Sequence, residues 1–88
     1  MNNWYKDYSS RLDKLADLGK DWDSYGSDPP NKTAIQNAGS VLTVLLLLGK
    51  SPTRVAPIAD GGVIIWLNKP DNIECSNDGR IILEVTRE

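Results

Sequence analysis

The spacing of apolar residues along this chain changes once, near residue 50, and that change limits the folds open to it. Before it, apolar residues recur every three or four positions; after it, they alternate. Helices come first and strands follow, with no return. That order predicts an α+β fold of two N-terminal helices followed by a four-stranded antiparallel β-meander. At 88 residues the expectation is a single domain, 1–88.

The first helix is expected over residues 3–18. Trp4, Tyr8, Leu12, Leu15 and Leu18 share one face, and Gly19 fits the C-terminal cap. Residues 20–30 form a connector, because two prolines, a glycine and small polar residues do not propagate a helix. Residues 31–48 read as the second helix, with Asn31 as N-cap. Its last two turns are apolar nearly all round, so more than one neighbour should cover them: the first helix, the sheet or a second molecule. The meander is expected over 53–87, with strands at 54–58, 63–68, 73–75 and 81–86. Pro57 places the first strand at a sheet edge.

The connector Trp22-Asp23-Ser24-Tyr25-Gly26-Ser27-Asp28-Pro29-Pro30 resembles a Trp-Asp-Gly-Tyr-Gly-Ala-x-Pro signature of small bacterial proteins, most without an assigned function. In those proteins the signature leads into one helix, then a Pro-x-x-Asp-Gly-Gly turn and a short meander. Pro57-Ile58-Ala59-Asp60-Gly61-Gly62 looks like that turn, and Asn77-Asp78-Gly79 like a later one. The likeness spans residues 20–85 and implies a fold, not a function. Two departures stand out. Ser24 replaces a glycine, which implies a less tight loop. Ile64 and Trp66 sit where the pattern tends to be polar, which implies an interface particular to this chain. Within the connector, Trp22, Tyr25 and Gly26 read as structural anchors, with Trp22 pinned to the core.

Composition removes several functions. The 10 Lys+Arg against 12 Asp+Glu give a net charge of −2 and no basic stripe, which argues against nucleic acid as a partner. There is no His, so the commonest general base and metal ligand is missing. The single Cys75 excludes an internal disulfide, and its parity with Ile73 predicts a buried thiol. Asp21-x-Asp23 followed by Gly26 faintly suggests a calcium loop, but Tyr25 and Lys32 occupy positions that need oxygen ligands. No catalytic residue, metal or cofactor is therefore assigned. The N-terminus lacks an apolar leader core, and the apolar run at 41–48 is too short to span a bilayer, so the expectation is cytoplasmic with no membrane partner.

What remains is surface. If Val63, Ile65 and Leu67 face the helices, Ile64 and Trp66 face away; Ile82 joins them if Ile81, Leu83 and Val85 face in. An apolar outer patch of this kind marks an association surface unless the first helix crosses it. The acids between residues 17 and 28, Asp21 and Asp23 among them, offer a second docking element for a basic protein. The sequence thus points to a protein-binding module: an inhibitor or antitoxin-like partner in a bacterial or phage conflict system. The alternatives are a homodimeric structural or accessory subunit and, least supported, a metal-dependent hydrolase using the Asp-rich loop.

Overall fold

The computed structural model describes residues 4–20, 22–23, 26–68 and 70–85. Two helices, α1 (Trp4–Ala16) and α2 (Lys32–Leu47), precede four strands: β1 (Arg54–Ile58), β2 (Gly62–Trp66), β3 (Asn72–Ser76) and β4 (Ile81–Glu84). The strands form one antiparallel sheet in the order β1-β2-β3-β4. The architecture is α+β, with the helices before the sheet. The expected element bounds shift by one or two residues. Helix α1 ends at Ala16, where the amides of Asp17 and Leu18 bond three residues back and tighten the last turn. The second strand starts at Gly62 and ends at Trp66, the third runs over 72–76, and the fourth leaves the ladder after Glu84.

Helix α2 has a defined stop at each end. The Asn31 side chain accepts the Ala34 amide at 2.9 Å, as an N-cap should. At the other end Gly49 has φ +71°, and Lys50 and Gly49 donate to the carbonyls of Leu45 and Leu46. That pair of bonds is a Schellman motif, which only a residue tolerant of positive φ closes cheaply.

The register sorts the strand side chains into two faces. Val55, Ile65, Ile73 and Leu83 form one inner row, and Pro57, Val63, Cys75 and Ile81 the next. Helix α2 packs over β2 and β3, while α1 lies beside α2 and reaches β1. Arg11 Nε donates to the Val55 carbonyl at 3.3 Å, and the Tyr5 hydroxyl meets Thr43 Oγ1 at 2.9 Å. Both helices therefore share one side of the sheet, and α1 does not cross the outer face. The core gathers Leu12 and Leu15 of α1, Ala38, Leu42 and Leu45 of α2, and Val55, Val63, Ile65, Ile73 and Cys75 of the sheet. A helix is about 10 Å across and strands lie about 4.8 Å apart, so one helix covers two strands. With α2 packed mainly over β2 and β3, strand β4 is left largely uncovered. All four of its residues are exposed.

Candidate functional site

The candidate surface is a groove between the last two turns of α2 and the inner face of β4. Val41, Val44 and Leu48 form the helical wall; Ile73, Ile81 and Leu83 form the sheet floor. Leu45 and Leu67 close its inner side, and Ser40 and Lys50 mark its rim. Its volume is about 420 Å³. The side chains that define it are open to solvent: Val44 is 53% exposed, Leu48 63% and Leu83 60%. Leu47 stands on the same stretch of helix at 81% exposure. Single exposed leucines are ordinary, but a contiguous apolar groove is not.

Parity alone places Ile81 and Leu83 on the core side of the sheet, as the sequence suggested. Facing inward did not cover them, because the helical layer stops over β3. Sequence reasoning expected the apolar end of the second helix to be covered on more than one side; Val44, Leu47 and Leu48 are instead exposed, and β4 stands across the groove. The available signal was the count of covering helices: two helices of which one must pack on the other cannot shield four strands.

The outer-face residues fall into a different environment. Ile64 and Trp66 are half-buried within the central strand β2, flanked by Ala56 and Glu74 and by Arg54 and Asn72 respectively. Ile82, on the edge strand, is 39% exposed. These three lie on one face, but Glu74 stands between Ile64 and Ile82 in the cross-strand row. A hollow of about 320 Å³ at the turn end of this face mixes polar and apolar lining, with Asp60, Glu74, Asp78 and Arg80 beside Ile58 and Ile82. Asp78 and Arg80 pair at 2.9 Å, both side chains largely exposed. The Arg80 backbone amide holds the Asp78 carboxyl below the usual carboxylate value.

The connector residues are committed to holding the loop. The Ser27 hydroxyl donates to the Asp23 carboxylate, and the Trp22 indole donates to the Asp28 carbonyl at 3.0 Å. Trp22 is half-buried rather than fully inserted in the core. Gly26 has φ +76°, which explains a glycine there. Asp21, Ser24 and Tyr25 lie outside the described residues. The connector ends on Asn77 of the last turn: Asn77 Oδ1 accepts the Asn31 amide at 2.8 Å, and its Nδ2 donates to the Pro29 carbonyl at 3.0 Å. The Asn77 amide donates to the Gly61 carbonyl at 3.0 Å. The prolines, the Asp-Gly-Gly turn and the Asn-Asp-Gly turn thus meet at one point, where they fasten the start of α2 to the sheet.

Cys75 is fully buried, and burial pushes its thiol up to about 11. It stays protonated at neutral pH and lacks the reactivity of a thiolate. Among the described residues no group of three or more His, Cys, Asp or Glu side chains is placed to hold a metal ion. Among them, too, no helix is long and apolar enough to cross a membrane. No family model matches the chain, and neither a curated protein nor a solved structure shows significant similarity to it.

Proposed function

We propose that this chain is a protein-docking module rather than an enzyme, and that the groove between α2 and β4 receives the partner. One observation carries the reading: an apolar groove of about 420 Å³ stays open although the helix and strand that form it are well defined. Covering one exposed leucine contributes about 2 kcal/mol, so a partner that fills the groove gains from several at once. The walls are a helix and a strand, an apolar setting suited to the apolar face of another helix. An inhibitor or antitoxin-like role is this reading with a foreign protein as occupant. A homodimeric subunit is the same reading with a second copy.

The test is photo-crosslinking in the host cell. A benzophenone amino acid replaces Leu48 or Leu83 in the groove, or Asp13 on the far side of α1 as a control. The expected result is a discrete protein adduct from both groove positions and none from Asp13. Absence of adducts at Leu48 and Leu83 overturns the proposal.

A further inference from the structure

Resting on that docking reading, we infer that the occupant of the groove is a second copy of this chain, whose α2 takes the helix position left bare over β4. The surface carries both the vacancy and the element that fits it. Leu42 and Leu45 point to the chain's own sheet, and Leu47 lies about 200° round the helix from Leu45, away from that sheet. Its 81% exposure agrees. A two-fold axis running along α2, through the groove, sets the two α2 helices side by side through Val44 and Leu48. It carries Leu47 of each copy onto Ile81 and Leu83 of the other. The assembly has the two sheets outside and the helices between them. Both α2 helices then lie between two sheets, which covers the Val44, Leu47 and Leu48 sides of their last turns. Such a contact is isologous, so each residue pair occurs twice.

The area fits. The exposed parts of Val44, Leu47, Leu48, Ile81, Leu83 and Val85 amount to roughly 600 Å² per copy, before any polar rim is counted, against ~800 Å² per partner in a standard interface. Charge does not oppose the pairing, since each copy carries only −2. The two edges of the sheet point the same way. Strand β1 is blunted by Pro57 and Arg54 and flanked by α1, whereas β4 has no proline and borders the open groove.

Sedimentation of the full chain from about 10 to 500 µM tests this, because a dimer's population depends on concentration. The expected mass is twice the chain's own. Leu47→Glu and Leu83→Lys are each expected to weaken the dimer about 30-fold or more, as removal of a central anchor does. Both sites are exposed in one copy, so the fold should survive, as circular dichroism will verify. Mixing the two variants is expected to restore a heterodimer. In one of its two symmetry-related contacts the introduced carboxylate meets the introduced ammonium, and in the other both leucines remain. A single-copy mass across the whole range overturns the inference, and so does a dimer that neither variant weakens. In the crosslinking experiment, groove adducts to a different protein alone overturn the second copy but keep the docking reading. Absence of all groove adducts removes both.

Discussion

The two ends of α2 are built on opposite terms. At its start, polar groups are matched within the chain: Asn31 caps the helix, Asn77 receives the Asn31 amide, and Pro29 receives the Asn77 side-chain amide. At its finish, the backbone is closed by a Schellman turn while Val44, Leu47 and Leu48 stand in solvent. Polar groups are directional, so a few residues of one chain can satisfy each other completely. Apolar area is not directional and needs another surface, and among the described residues neither helix supplies one. The locked end is where stability should be concentrated, and the open end is where recognition should be.

The largest expected effect comes from the turn that the locked end rests on. A Cβ on Gly62 would lie 2.5 Å from the Cys75 carbonyl oxygen across the β2–β3 pair. That neighbour is backbone in mid-sheet and cannot yield. Gly62→Ala should cost at least about 3 kcal/mol or prevent folding, by urea denaturation. Next is Asn77→Ala, which deletes an acceptor for Asn31 and a donor for Pro29. Two side-chain hydrogen bonds at about 1 kcal/mol each predict a loss of about 2 kcal/mol. An Asn77→Ala variant as stable as wild type would break the contrast, because the locked end would then be locked by something else.

These same residues show what could be read from the chain alone. The helix and strand periods revealed the fold class, because alternation and three-four spacing are local properties of sequence. Asn31 as cap and Pro57 at an edge were legible for the same reason. The meeting of Pro29, Gly61 and Asn77 was not. It depends on the β1–β2 and β3–β4 turns reaching the same end of the sheet as the start of α2, and no local rule encodes that. Burial of Cys75 followed from parity with Ile73, since β3 lies under α2. The identical rule put Ile81 and Leu83 on the inner face yet said nothing of their exposure, because coverage depends on how far the helical layer extends. Trp66 shows the converse. Its outward parity is as expected, but a central strand lends it neighbours on both sides, so it is half-buried.

The smallest expected effect separates the two ends by pH. Asp78 lies in the turn beside Asn77, and its folded carboxyl sits below the ordinary value of 3.8, chiefly through the Arg80 amide. A depressed carboxyl favours the folded state when ionised. Its contribution is therefore complete above the unfolded value and fades as pH falls through the folded one. The side chain is largely exposed, so the loss should be local rather than global. On acidification below about 4, the Arg80 amide resonance should shift and its hydrogen bond to Asp78 weaken. The Lys50 amide, at the open end, donates to the Leu45 carbonyl and has no carboxylate acceptor there, so it should hold. Nuclear magnetic resonance titration of both amides decides the matter. If the two move together, the ends of α2 loosen as one unit, and the division between a locked end and an open end fails.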